Sequence, residues 1–277
     1  MSVPSKKYYG VIGNPIKHSK SPEIHNAWFK QYHIDGIYEP FLVEDVAEFV
    51  KEAKQKPLAG FNITVPHKES ILEFCDSYSD AVKAIGAANT VVLESNSVQW
   101  RAENTDYLGF LKVCDDDLKI SLEGKRVLLI GAGGSAKAIL YALLLRNPAY
   151  IAVVNRSEER ADVLLESMSS SFSKTPMKSY GINYLNNRVF LEGFDVIVHT
   201  TSVGLHNQDD CVFNDFSWML KKPIVIDILY QDTKLLKEAK RLNCLVSGGF
   251  PMLFYQAQYA FELFTGVFPE TLSVETL

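Results

Sequence analysis

The string GAGGSA at positions 131–136 has the residue types and spacing of a turn that cradles phosphate. The apolar run VLLI precedes it and AKAILYALLL, helical in composition, follows. Strand, glycine turn and helix in that order bring backbone N–H groups and the positive end of a helix dipole to one point, which suits a pyrophosphate. Gly131 permits the tight turn, Gly133 lets backbone amides approach the phosphates, and Ala136 lets the helix pack closely on the strand. Ala132, Gly134 and Ser135 complete the cradle. A glycine turn in an α/β protein that binds no nucleotide is the competing reading. The next strand, YIAVVN, ends at Asn155, Arg156 and Ser157, where an NAD site usually places Asp or Glu for the ribose hydroxyls. A donor and a fixed cation there suit the extra 2′-phosphate of NADP, and Arg160 adds charge one turn later. Arg156 and Arg160 also read as solvated residues of a helix start paired with Glu158 and Glu159, acids that would partly oppose a phosphate.

The elements that position this turn alternate strand and helix, with no repeat and no low-complexity linker. YYGVIG, GIYEPFLV and GFNITV read as strands, SPEIHNAWFKQYHI and VAEFVKEAKQ as helices. ESILEFCDSYSDAVKAIG reads as helix with a break, ANTVVLES as a hairpin with SVQWRAEN, and TDYLGFLKVC as helix. After the glycine turn come YIAVVN, a helix over 157–170, DVIVHT, IVIDIL, the helix TKLLKEAKRLN and the strand CLVSGG. A closing apolar and aromatic helix from Met252 to about Phe264 is expected to cross back onto the first domain. The fold class is α/β in two domains. Residues 1–106 plus 250–277 form a substrate-binding domain with a mainly parallel sheet; residues 107–249 form a Rossmann-like dinucleotide-binding domain; a cleft lies between them.

Composition agrees with a two-domain enzyme. The chain has 277 residues, an apolar fraction of 47% and a net charge of −5, so two cores can be filled without staples. An acidic pI of 5.7 and the lack of a basic patch argue against nucleic acid and for a small-molecule partner. The first residues lack the apolar core of a signal peptide, and no apolar run approaches the roughly 20 residues of a membrane span. Cys75, Cys114, Cys211 and Cys244 form no CxxC pair, so a reduced, cytoplasmic setting is expected. His18, His25 and His33 lack metal-ligand spacing and no HExxH occurs, so no metal is expected.

Eight strings in order, GNPIKHSKSPEIHN (13–26), FNITVPHK (61–68), IGAANT (85–90), NTDYLGF (104–110), GAGGSAKAI, NRS (155), TSVGL (201) and GGFPMLFYQA (248–257), resemble the shikimate dehydrogenase (shikimate/quinate) family over nearly the whole chain. The resemblance implies reversible hydride transfer from NADPH to the ketone of 3-dehydroshikimate, giving shikimate on the route to chorismate and the aromatic amino acids. It assigns Lys68 and Asp106 jointly to the reacting centre, where an ammonium stabilises the developing oxyanion and a carboxylate orients it. It also implies that Ser19 and Ser21 hold the substrate carboxylate, that Thr64, Asn89, Tyr230 and Gln256 hydrogen-bond the substrate, that Gly249 lies by the nicotinamide and that Ile228 binds the cofactor. A monomer or homodimer is implied.

Ordinary explanations stand beside these. Ser21, followed by Pro22 and Glu23, reads as a helix N-cap, whereas Ser19 has no such local use. Lys68, as an isolated lysine, reads as a surface group, although it follows Pro66 at a strand end where α/β proteins place ligand-facing groups. Asp106 reads as a cap before YLGFLKVC. The chain departs from the family pattern in three places. His199 replaces the usual asparagine before the TS pair, DILYQDTKLL lacks a proline and is short after Tyr230, and Lys137 stands where arginine is frequent. A quinate or NAD-using relative and a non-catalytic ligand sensor are the other readings; retention of both Lys68 and Asp106 opposes the second.

Overall fold

The structure is a computed structural model that describes residues 6–53, 58–94 and 99–270. The far ends of the helix expected over 46–55 and of the strand expected over 97–104 lie outside the described residues. The chain divides into two compact units, Met1–Thr105 with Gln256–Leu277 and Asp106–Tyr255. Asp106 therefore heads the second unit.

In chain order, unit 1 contains β1 (Lys7–Gly13), α1 (Ser21–Gln31), β2 (Gly36–Leu42), α2 (Val46–Ala53), β3 (Leu58–Ile63), β4 (Ser77–Tyr78), α3 (Asp80–Ile85), β5 (Thr90–Leu93) and β6 (Trp100–Glu103). Its sheet runs β2-β1-β3-β5-β6-β4. β1 pairs parallel with β2 and β3, and β4 with β6, whereas β3–β5 and β5–β6 are antiparallel. The sheet is thus mainly parallel, and the expected hairpin is β5–β6. Apolar side chains of β1, β3, β5 and α2, among them Ile12, Phe61, Ile63, Val91 and Val50, form the core on one side.

Residues 69–86 depart from expectation. Instead of a broken helix they form a 3-10 turn over Ser70–Phe74, the short β4 and then α3. Two polar side chains decide this. Asp76 accepts from the Trp100 backbone N–H at 2.8 Å and pulls the segment into the sheet, and Ser79 caps α3 by accepting from Val82 N–H at 3.3 Å.

Unit 2 contains α4 (Asp106–Lys112), which continues as a π turn over Val113–Asp117, then β7 (Arg126–Ile130), α5 (Gly134–Leu144), β8 (Tyr150–Asn155), α6 (Glu158–Ser169), β9 (Met177–Gly181), α7 (Arg188–Leu191), β10 (Val196–His199), β11 (Ile224–Asp227), α8 (Lys234–Arg241), β12 (Val246–Ser247) and the start of α9 (Gly249–Thr265). The sheet order is β12-β11-β10-β7-β8-β9 and every pairing is parallel. Numbered within the unit this is the 3-2-1-4-5-6 order of doubly wound dinucleotide-binding sheets, with the direction of winding reversing between β7 and β10. β9 and α7 were not anticipated from sequence. β7, β8 and β10 are buried on both faces, which is why they read as continuous apolar runs.

The part of α9 from Gln256 onward belongs to unit 1. Ala257, Ala260, Phe261 and Phe264 are buried at helical spacing. Phe261 packs 5.4 Å from Trp28 and 5.2 Å from Phe29, and Phe264 packs 5.1 Å from Tyr9, so the closing helix seals the side of the sheet that carries α1.

Candidate functional site

In unit 1 the carboxyl ends of β1 and β3 lie side by side, and the polar residues singled out in the sequence gather around them. Ser21 is not the N-cap of α1. Lys20 takes that position with helical dihedrals, and Ser21 is the first helical residue, with no side-chain cap. The physical reason is that Ser19, not Ser21, supplies the hydroxyl acceptor for a first-turn N–H. Ser19 Oγ accepts from Ser21 N–H at 3.4 Å, which gives Ser19 a local use after all. Ser21 is buried beside the Tyr38 phenol. Tyr38 in turn donates to Asn62 Oδ1 at 2.6 Å, and burial, tempered by Ser21, pushes its phenol well above the usual range.

Asn62 extends the line. Its Nδ2 donates to Thr90 Oγ1 at 2.9 Å and to the Asn89 carbonyl at 3.1 Å. The Asn89 side chain is a hub: Nδ2 donates to Thr105 Oγ1 at 2.9 Å and to Gln256 Oε1 at 3.0 Å, while Oδ1 accepts from Thr105 N–H at 2.7 Å and from the Thr90 hydroxyl at 3.1 Å. Ser21, Tyr38, Asn62, Thr90, Asn89, Thr105 and Gln256 are all buried, so each of these bonds replaces a hydration that the interior denies. Thr64, half-buried, leaves β3 with its N–H donated to the Ile12 carbonyl at 2.9 Å. Lys68 follows one turn later. It is only 9% exposed, contrary to the surface reading, and its carbonyl accepts from Ala88 N–H at 2.8 Å, which ties it to the segment that carries Asn89.

Unit 2 holds the other candidates. Asp106 is the first residue of α4 and is buried. Placed in the first turn it also meets the favourable end of the helix dipole. Tyr230, after β11, is 53% exposed, yet desolvation and, secondarily, the Asp106 carboxylate push its phenol up to about 12.

At the carboxyl end of β7, Gly131 has φ +114°, and a Cβ there would lie 2.4 Å from Thr200 Oγ1. Both facts require glycine. Ala132 leads to Gly133, the N-cap of α5, whose Cβ direction is open space, as close approach of a ligand needs. Gly134 and Ser135 open the helix and present first-turn N–H groups that have no preceding helical carbonyl. Ala136 is fully buried against the core. At the end of β8, Asn155 Nδ2 donates to the Ser157 carbonyl at 2.8 Å, and Ser157 Oγ donates to Glu159 Oε2 at 2.7 Å, which holds that carboxyl below its usual range. Arg156 and Arg160 are exposed, and among the described residues neither pairs with Glu158 or Glu159. Ile228 and Gly249 meet at the ends of β11 and β12; a Cβ on Gly249 would stand 2.0 Å from the Ile228 carbonyl oxygen. Sequence reading did not single out Tyr38, Asn62, Thr105 or Asp227. The available signal was polar residues set into otherwise apolar strands, as in FNI and IVID.

Among the described residues no group of three or more His, Cys, Asp or Glu side chains could hold a metal, and no helix is long and apolar enough to cross a membrane. All four cysteines are unbridged.

Comparison with known proteins gives a consistent result. The family model for the shikimate dehydrogenase substrate binding domain matches residues 11–91, and that for shikimate / quinate 5-dehydrogenase matches residues 113–213. The shikimate dehydrogenase (NADP(+)) of Bacillus cereus is 36% identical over 268 residues, which are 95% of this chain and 94% of that protein. The crystal structure of shikimate dehydrogenase from Aquifex aeolicus shares 33% identity with a TM-score of 0.86, covering 98% of this chain and 96% of its own. Quinate dehydrogenase from Corynebacterium glutamicum, in complex with NAD, shares 26% identity with a TM-score of 0.86 over 96% of this chain and 95% of its own.

Proposed function

Because the chain belongs to the shikimate dehydrogenase family, we propose that it catalyses the reversible NADPH-dependent reduction of 3-dehydroshikimate to shikimate. The observation that carries this reading is the buried polar line of unit 1, which delivers Asn89 and Gln256 to the strand ends that also carry Thr64 and Lys68, with Ser21 buried beside it. A polyhydroxylated carboxylate is the kind of ligand that such a set of neutral donors and acceptors, with one cation, recognises.

The cofactor fits the residues present. The open Cβ direction at Gly133 and the first turn of α5 suit a pyrophosphate, and the exposed Arg156 and Arg160 suit a 2′-phosphate. NADPH, when bound, supplies the hydride. Ile228 and Gly249 are assigned to the nicotinamide end and Asn155, Arg156, Ser157 and Arg160 to the adenosine end. Ser19 and Ser21 hold the substrate carboxylate through hydroxyl donors. Thr64, Asn89, Tyr230 and Gln256 orient the ring hydroxyls. The Lys68 ammonium stabilises negative charge on the carbonyl oxygen, and Lys68 and Asp106 together carry the proton to it; two coupled groups are assigned jointly rather than as separate donor and acceptor. The unbridged cysteines suit a reducing, cytoplasmic setting.

A second reading, quinate oxidation with NAD, is favoured by the fit to the Corynebacterium glutamicum enzyme and by Glu158 and Glu159, which would partly oppose a phosphate. Lys68→Ala tests the mechanism common to both. Turnover should fall by roughly 10²–10⁴-fold, the usual worth of a positioned acid–base group, with NADPH affinity within about twofold of the wild type. Undiminished turnover would remove Lys68 from the reaction.

A further inference from the structure

The strand-end loops of unit 2 are joined by a hydrogen-bonded chain that the reaction itself does not use. His199 ends β10 and is 2% exposed; Asp227 ends β11 and has no exposed surface. His199 Nδ1 lies 3.0 Å from Asp227 Oδ1, and Nε2 lies 2.6 Å from Thr201 Oγ1. A carboxylate only accepts, so Nδ1 carries a proton and donates to Asp227, which leaves Nε2 for the Thr201 hydroxyl. Asp227 has further duties. Its Oδ1 accepts from Leu229 N–H at 3.1 Å, and its Oδ2 accepts from the Thr233 hydroxyl, the cap of α8, at 2.7 Å. The Leu229 carbonyl then accepts from Gly249 N–H at 2.9 Å.

A continuous connection therefore runs from Thr201 through His199, Asp227 and Leu229 to Gly249, the first residue of α9. Its near end rests on the glycine turn. A Cβ on Gly131 would lie 2.4 Å from Thr200 Oγ1 and 3.3 Å from Thr201 Cγ2. The loops after β7, β10, β11 and β12 are thus set against one another, at the point where the winding of the sheet reverses. The imidazole is the rigid member that spans the gap between two loops, its two nitrogens flanking Cε1 and pointing outward to different partners. A shorter amide at this position reaches one partner and releases the other.

We infer that His199 is a positioning residue for the nicotinamide cofactor: by bridging Asp227 and Thr201 it holds the loops after β10 and β11 in the arrangement that receives NADPH. The inference rests on the proposed cofactor. When the bridge is broken the loops populate other arrangements, and the apparent affinity falls by the fraction of time spent out of the receptive one. Substrate contacts in unit 1 are untouched.

The test uses His199→Asn, Thr201→Val and the double variant of the full chain, with NADPH binding followed by nucleotide fluorescence and with steady-state kinetics. Each single change should raise the dissociation constant and the KM for NADPH by roughly three- to tenfold, while kcat and the KM for 3-dehydroshikimate stay within about twofold. The double variant should bind NADPH no more weakly than His199→Asn alone, since both changes break one bridge. Unchanged NADPH binding in both single variants, multiplicative losses in the double, or an effect confined to the 3-dehydroshikimate KM would overturn the inference. If His199→Asn does not fold, Thr201→Val, which removes only a half-buried hydroxyl, decides the matter. Direct binding also separates this inference from the assigned reaction. A wild-type chain that binds NADPH but reduces nothing refutes the reaction alone, and an active wild type whose variants bind NADPH equally well refutes the positioning role alone.

Discussion

Acid should destabilise unit 1 through one histidine. His25 has no exposed surface, stacks on Tyr38 with centroids 4.3 Å apart and planes 4° from parallel, and meets Trp28 edge-on at 5.6 Å, with Phe261 and Phe264 completing its surroundings. Among the described residues neither ring nitrogen has a hydrogen-bond partner. Burial therefore disfavours the imidazolium and lowers the pKa from 6.5 to about 3. The unfolded chain regains the ordinary value, so between these two values it binds a proton that the folded chain refuses. The contribution is fully present above pH 6.5 and is lost as pH falls towards 3. At about 1.4 kcal/mol per pH unit, moving from pH 7.5 to pH 4.5, two units below the unfolded pKa, removes about 2.7 kcal/mol through this group alone. His25→Phe keeps the ring stack and removes the titration. In urea unfolding at the two pH values, the wild type should lose about 2.7 kcal/mol more than His25→Phe, with the pH dependence of other groups common to both. Parallel losses, or a His25 ring resonance that titrates near its ordinary value in the folded protein, would refute the reasoning.

Two further outcomes follow from the polar line and the cofactor turn. Asn89→Ala strips one donor group and one acceptor from a buried hub and leaves Thr105 N–H and Gln256 without their partner; it should lower stability by about 2–4 kcal/mol in urea unfolding and raise the KM for 3-dehydroshikimate. A loss under about 0.5 kcal/mol would show that water substitutes for the side chain, which the burial of the site argues against. Arg156→Ala should raise the KM for NADP by roughly tenfold or more, the worth of one charge-assisted bond, and that for NAD by less than about twofold. Equal effects on both nucleotides would place recognition of the 2′-phosphate elsewhere.

What the sequence made legible follows from the range of the interactions involved. β7, the glycine turn and α5 were readable because each is specified locally, by burial on both faces, by a backbone angle that only glycine tolerates, and by a continuous run of helix formers. Alternation of strand and helix pointed to the parallel sheet of unit 2, but β9 escaped notice because its residues MKSYG form an edge strand with little apolar content. Helical composition concealed the 3-10 turn, strand and helix over 70–85, since the deciding contact of Asp76 depends on β6 being in place. The site is less local still. Asn89 and Gln256 are 167 residues apart in the chain and Tyr38 and Asn62 are 24 apart, so only the fold brings them together. Family resemblance could name Asn89 and Gln256 as a set; it could not show that Asn62 joins Tyr38 to that set.

The most direct test of the proposed function is a steady-state comparison of shikimate and quinate, each with NADP and with NAD, on the purified wild-type chain. Shikimate with NADP should give the highest kcat/KM of the four combinations, with formation of 3-dehydroshikimate. A preference for quinate with NAD, or no oxidation of shikimate with either nucleotide, would contradict it.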